Sequence, residues 1–153
     1  MSEVAFENVR FDPDQTPFHD LAKAMAKAFG YTAELQLDKQ LAQLIRLRVA
    51  QKNNCAYCLI LHSQTAREIG IDAAKIDGLG SWWESRLYSE AEIAALTYSD
   101  ALTEGDRPGF EAIHAAAAQH FSENEIAELA AIVINMNLWT RLKLAQGAVP
   151  VYR

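Results

Sequence analysis

Hydrophobic residues recur every three to four positions along most of this chain, which is the spacing of one face of an α-helix. The first such face follows the capping residue Thr16 and ends at Gly30, and a second runs from about Leu35 to Lys52. No stretch alternates apolar and polar residues for long enough to predict a strand. Residues 1–15 have no sustained period, so we predict an irregular N-terminal arm there.

Capping signals place the remaining helices. Asn53 and Asn54 interrupt the second helix and are predicted to begin a third, which ends at Gly70. Later helices are predicted to begin at four further capping signals, Asp72, Ser89, Asp106 and Ser122. The sequence therefore predicts a single all-α domain over residues 1–153, built from six to seven helices.

Composition and charge narrow the function classes. Half of the 153 residues are hydrophobic and 22% are charged, with only 4 prolines and 7 glycines, which favours a helical globular domain. A net charge of −6 argues against a nucleic-acid-binding face. The first residues carry early acids and no apolar run, and no stretch approaches the ~20 apolar residues of a membrane span. We expect a cytoplasmic protein with no membrane or nucleic-acid partner.

The chemistry-bearing residues are concentrated in one segment. The only two cysteines, Cys55 and Cys58, lie three positions apart, and His62 follows four positions later. On a helix these side chains fall within an arc of about 60°. A helix N-terminus lowers the pKa of a thiol through its partial positive charge, and a histidine can accept or supply a proton. The segment predicts a redox-active thiol pair with a proton carrier.

Two other interpretations fit the same three residues. They could bind a metal ion with a fourth ligand from His19, His114 or His120, although no motif supports that ligand. They could also be two buried cysteines and a core histidine, because free cysteine is commonly buried. Packing alone gives no reason to place Cys55, Cys58 and His62 on one face of a helix, so the redox interpretation is favoured.

The segment from Leu44 to Cys58, LIRLRVAQKNNCAYC, followed by His62, closely resembles the alkylhydroperoxidase motif of the AhpD-like carboxymuconolactone decarboxylase family. The similarity extends over about residues 20–147. It implies an all-helical AhpD-like fold that assembles as homotrimers or hexamers. It also implies that Cys58 forms a sulfenic acid, that Cys55 donates a proton and resolves it, and that His62 belongs to the proton relay.

Two positions depart from the family pattern. Gln43 stands where the family usually has a relay glutamate, and a glutamine cannot act as a general base, although it could orient a water molecule or His62. Tyr57 stands where the best-known AhpD enzymes have a histidine, and a phenol with a pKa near ~10 is a poor proton shuttle.

The predicted function is a thiol-dependent peroxidase without a cofactor. A hydroperoxide oxidises Cys58, Cys55 closes a disulfide, and a dithiol or thioredoxin-like partner reduces it. The alternatives are a thiol–disulfide oxidoreductase and a non-catalytic, oligomeric redox-sensing protein, because Gln43 weakens the peroxidase chemistry. Separately, Arg48 on the apolar side of its helix predicts a buried or interfacial ion pair.

Overall fold

The computed structural model describes residues 2–153. Within them, two short strands and two 3-10 segments accompany seven α-helices. The α-helices are α1 Pro17–Phe29, α2 Lys39–Lys52, α3 Ala56–Glu68, α4 Ala73–Asp77, α5 Glu90–Glu104, α6 Phe110–Ala118 and α7 Glu123–Gln146. The strands are β1 Val4–Asn8 and β2 Ala148–Tyr152, and the 3-10 segments are Pro13–Gln15 and Leu79–Glu84. The prediction of six to seven helices is confirmed, and the prediction of no strand is wrong.

The N-terminal arm is not irregular throughout, because β1 lies within it. This strand pairs antiparallel with β2 at the other end of the chain. A single five-residue strand has too little alternation to be recognised alone, and its hydrogen-bonding partner is distant in sequence. Phe6 of β1 packs against Tyr57, with ring centroids 4.6 Å apart. The small sheet therefore covers the start of α3.

Helix α2 forms the centre of the domain. Every residue from Leu41 to Ala50 is buried, and the helix packs against α3, α5 and α7. It begins at Lys39 rather than near Leu35, because the Asp38 carboxylate accepts the Leu41 N–H at 2.9 Å and caps the helix there.

The junction between α2 and α3 also differs from the prediction. Asn53 ends α2, Asn54 has a left-handed φ of 50°, and Cys55 is the N-cap of α3. The Asn53 amide donates to Asn137 Oδ1 and Thr140 Oγ1 of α7, both at 2.9 Å. These contacts hold the asparagine side chain away from the start of α3, so the cysteine takes the capping position.

Arg48 fixes α2 against α5 through a buried ion pair with Asp100. Its Nε and Nη2 donate to the two carboxylate oxygens at 2.8 and 3.0 Å. Trp82 Nε1 donates to the same carboxylate at 3.1 Å. The buried ion pair predicted for Arg48 is confirmed, and both partners belong to one chain.

Replacing Asp100 with alanine is expected to lower the free energy of unfolding by about 3–5 kcal/mol, because Arg48 would remain buried without a counter-ion. Asp77→Ala is the matched control, since it breaks the exposed Arg67–Asp77 pair and should cost less than about 1 kcal/mol. Urea unfolding followed by circular dichroism measures both. Equal losses would contradict the role of the Arg48–Asp100 pair as an anchor.

Candidate active site at the start of helix α3

The two cysteines form a reduced pair at the first turn of α3. Both are free and buried, with exposures of 8% for Cys55 and 2% for Cys58. Their sulfur atoms are 2.6 Å apart, and the Cys55 sulfur accepts the Cys58 backbone N–H at 3.3 Å. An N-cap side chain faces the N–H groups two or three residues ahead. The Cys-x-x-Cys spacing at this position therefore brings the two sulfur atoms together.

The negative charge of the reduced pair resides on Cys55. The hydrogen bond with Cys58 lowers the pKa of the Cys55 thiol to about 7, and the Cys58 backbone N–H and the Lys143 ammonium act in the same direction against burial. The same hydrogen bond and burial raise the pKa of Cys58 well above its ordinary value. At pH values above about 7, the pair thus holds one proton, on Cys58, and one negative charge, on Cys55.

Gln43 of α2 fixes the orientation of the His62 ring. Gln43 Nε2 lies 3.1 Å from His62 Nδ1 and donates to the His62 carbonyl oxygen, also at 3.1 Å. Gln43 Oε1 accepts from Arg46 Nη1 at 3.2 Å. A carbonyl oxygen only accepts and a guanidinium only donates, so both contacts require the amide NH₂ to point at His62. His62 Nδ1 is therefore an acceptor, and the ring proton lies on Nε2.

The protonation state of His62 follows from its surroundings. Burial, with the positive charge of Arg46, lowers the pKa of His62 to about 3. The ring is neutral at physiological pH and presents Nε2–H as a hydrogen-bond donor. Arg46 is held in turn by the end of α1, where its Nη2 donates to the carbonyl oxygens of Phe29 at 3.2 Å and Gly30 at 2.9 Å.

The two sulfur atoms face different spaces. Cys58 and His62 line a mainly apolar cavity of about 230 Å³, whose other walls include Tyr31, Tyr57, Leu61, Met136 and Trp139. Cys55 instead lines a more polar groove of about 190 Å³, together with Asn54, Thr140 and Lys143. A cavity with apolar walls and a few polar groups is the usual form of a small-molecule site.

Tyr57 separates these two spaces. Its ring lies against Phe6 on one side, and the Lys143 ammonium is 4.1 Å from its centroid. Burial is the main cause that raises the pKa of the phenol, so it stays protonated. The structure thus brings together Cys55, Cys58, His62, Gln43 and Tyr57, all the site residues that the sequence predicts.

Sequence reasoning missed two charged residues at this site. Arg46 lies three positions after Gln43 on a helical face that is otherwise apolar, and this spacing is the one signal that could have identified it. Lys143 lies on α7, far from the cysteines in sequence, and no motif marks it. Only the packing of α7 beside the start of α3 brings it to the pair.

The alternative of a metal site required a fourth ligand. Within residues 2–153, no group of three or more His, Cys, Asp or Glu side chains could hold a metal ion. His19 contacts Asp14 at 2.9 Å, and His114 and His120 are exposed.

No helix within residues 2–153 is both long and apolar enough to cross a membrane.

The fold and the site define a class of small helical proteins with a Cys-x-x-Cys pair at a helix start. The model of the carboxymuconolactone decarboxylase family matches residues 19–101. The uncharacterized protein YdfG of Bacillus subtilis (strain 168) is 32% identical over 127 residues, which cover 82% of this chain and 86% of YdfG. The chain therefore belongs to the carboxymuconolactone decarboxylase family, as an AhpD-like member.

Solved structures agree with this assignment. The Agrobacterium tumefaciens protein ATU0492, a protein of unknown function considered an antioxidant defence protein AhpD, has a TM-score of 0.82 and 26% identity, with 90% of this chain and 94% of that chain covered. The debrominase Bmp8 has a TM-score of 0.73 and 24% identity, with 86% and 72% covered. The likeness to Bmp8 shows the fold alone.

Gln43→Glu is expected to move the ring proton of His62 from Nε2 to Nδ1, because a carboxylate accepts a hydrogen bond and cannot donate one. The added negative charge should also raise the pKa of His62 from about 3. Correlation spectra of the imidazole ¹⁵N nuclei report both changes. Gln43→Met, which leaves Nδ1 without this donor, is the control. A wild-type ring protonated at Nδ1 would contradict the orientation assigned to Gln43.

Proposed function

We propose that this protein is a thiol-dependent peroxidase that reduces organic hydroperoxides through a cycle of Cys55 and Cys58. The observation that carries the proposal is the reduced pair itself. Its sulfur atoms are 2.6 Å apart, one thiol has a pKa of about 7, and the other lines an apolar cavity. Membership of an AhpD-like family supports the same chemistry.

In the first step, the Cys58 sulfur attacks the terminal oxygen of the hydroperoxide, because Cys58 is the cysteine that lines the cavity. The Cys55 thiolate accepts the Cys58 proton as the attack begins. The O–O bond breaks, Cys58 becomes a sulfenic acid, and the alkoxide leaves with the proton from Cys55. Cys55 thus acts as the base that Gln43 cannot be. The Nε2–H of His62 stabilises the developing negative charge.

In the second step, the Cys55 thiolate attacks the sulfenic sulfur of Cys58. A disulfide forms, and the hydroxide that leaves takes a proton from solvent. A dithiol partner, such as a thioredoxin-like protein, then reduces the disulfide and is oxidised to a disulfide itself. One hydroperoxide and one dithiol give one alcohol, one water and one disulfide.

A thiol–disulfide oxidoreductase is the second candidate. The observation that favours it is the neutral His62, which donates a hydrogen bond instead of accepting a proton. Without a histidine base, disulfide exchange at Cys55 requires only its low pKa and access through the polar groove. A comparison of turnover with a hydroperoxide and with a disulfide substrate separates the two candidates. A redox sensor would show oxidation of the pair without sustained turnover of either.

Assembly as a homotrimer or hexamer and a cytoplasmic location stay predictions. Exposed apolar side chains support assembly, such as Leu21 at 70%, Leu144 at 69% and Trp83 at 60% exposure. Sedimentation equilibrium of the purified protein measures the subunit number. A monomer at micromolar concentration would contradict the oligomer.

One equivalent of an organic hydroperoxide is expected to remove two thiols per chain, because one sulfur is oxidised and the other closes the disulfide. A dithiol should restore both. Cys55→Ser should form a sulfenic acid on Cys58 more slowly, because it lacks the Cys55 base, and should stop there, which dimedone labelling detects. Cys58→Ser should lose the reaction with peroxide. Anaerobic thiol titration and mass spectrometry measure these outcomes. Rapid sulfenic acid formation on Cys55 in Cys58→Ser would show that Cys55, and not Cys58, is the attacking cysteine. The absence of thiol loss in the native protein would exclude a peroxidase.

The rate of peroxide-dependent thiol loss is expected to rise with pH through about 7 and then level off. The reason is that the Cys55 sulfur must be a thiolate to accept the Cys58 proton, and the pKa of Cys55 is about 7. His62, whose pKa is about 3, should add no inflection between about pH 5 and pH 8. Stopped-flow measurement across this range tests the profile. A second inflection near the ordinary histidine pKa of ~6.5 that disappears in His62→Gln would show that His62 titrates in the mechanism.

A further inference from the structure

Lys143 of α7 is a half-buried cation with no carboxylate partner among residues 2–153. Its Nζ lies over the rings of Tyr57 and Trp139, at 4.1 and 5.4 Å from their centroids. Burial of an ammonium group is unfavourable unless an anion or an equivalent partner stabilises it, and a contact with an aromatic ring supplies only part of that stabilisation. An anion near Lys143 would supply the rest of that stabilisation.

The Cys55 sulfur is the candidate anion. Cys55 and Lys143 line the same groove. Arg10 is a second cation on that groove, and its Nε donates to the Leu144 carbonyl oxygen at 3.2 Å. Of the two cations, only Lys143 lowers the pKa of Cys55 by its charge. The Lys143 ammonium is thus a cation that lines the same groove as the Cys55 sulfur and is placed to act as its counter-ion.

The interaction is reciprocal. The charge of Lys143 lowers the pKa of both thiols, after the effects of their mutual hydrogen bond and of burial. Burial lowers the pKa of Lys143, while Cys58 and Cys55 raise it. The other titratable or charged groups around the pair and the lysine are Arg10, Asp14, Lys23, Tyr31, Arg46, Tyr57 and His62.

We propose that Lys143 is a positioning residue whose ammonium group acts as the counter-ion of the Cys55 thiolate and thereby sets the reactivity of the cysteine pair. A helix N-terminus contributes only about half a positive charge, and neither Gln43 nor neutral His62 carries a charge. Lys143 supplies the full positive charge that the helix N-terminus, Gln43 and His62 do not. The inference rests on the redox site of the proposed function, but it concerns the reduced pair alone and holds for any oxidant.

The test is a pH titration of the thiolate in the full-length reduced protein, followed by its ultraviolet absorbance and by the rate of alkylation with iodoacetamide. Lys143→Met keeps the aliphatic stem and removes the charge. It should raise the pKa of Cys55 by about one pH unit or more, which lowers the alkylation rate below that pH about tenfold. Lys143→Arg, which keeps the charge, should restore most of the shift.

Lys27→Met is the matched control, because it removes the same charge from an exposed position on α1. It should leave the titration unchanged. Circular dichroism checks that each variant is folded. The proposal is overturned if Lys143→Met titrates as the wild type does, or if Lys143→Arg shifts as far as Lys143→Met, since the second result would indicate a packing role. If peroxide removes no thiols but Lys143→Met still shifts the titration, the peroxidase proposal fails and this inference stands.

Discussion

The burial of α2 is the constraint on which the rest of the structure depends. Ten consecutive positions, from Leu41 to Ala50, are buried, and buried polar groups require partners. Each of the three long polar side chains in this stretch therefore binds a different neighbour. Arg48 pairs with Asp100 of α5, Arg46 binds the carbonyl groups at the end of α1, and Gln43 binds His62 of α3. The central helix thus positions the site through the same contacts that stabilise the fold.

The contact between Gln43 and His62 changes the chemistry available to the cysteines. A glutamate at this position would accept a hydrogen bond from Nδ1–H and leave Nε2 as a base, whereas the amide donates to Nδ1 and leaves a proton on Nε2. The nearest base for Cys58 is then the other sulfur atom, on Cys55. A thiolate at a buried helix start needs positive charge nearby, and Lys143 and the helix N-terminus are placed to supply it.

Family membership does not determine this chemistry. The debrominase Bmp8 shares the fold at 24% identity, and a shared fold does not imply a shared reaction. The chemistry available to the cysteine pair depends on the groups around it. In this chain they are an amide in place of an acid at position 43, a tyrosine between the cysteines, and a lysine from the last helix.

The sequence by itself determined the features that depend on neighbours a few residues apart. The capping boxes at Ser89 and Ser122, the glycine stop after α1 and the cysteine pair at a helix start all follow from hydrogen bonds between residues within about one helical turn. The family resemblance then connected Gln43 and His62, which no local pattern relates. This much of the fold and of the candidate site was predictable.

Only the tertiary structure decided the features that join distant parts of the chain. Strand β1 exists because β2 pairs with it, and Asn53 turns away from α3 because α7 offers Asn137 and Thr140. The ring proton of His62 and the charge beside Cys55 likewise depend on side chains from other helices, Gln43 and Lys143. A linear pattern records spacing along the chain but not which side chains meet across the core, and those contacts decide where each proton resides.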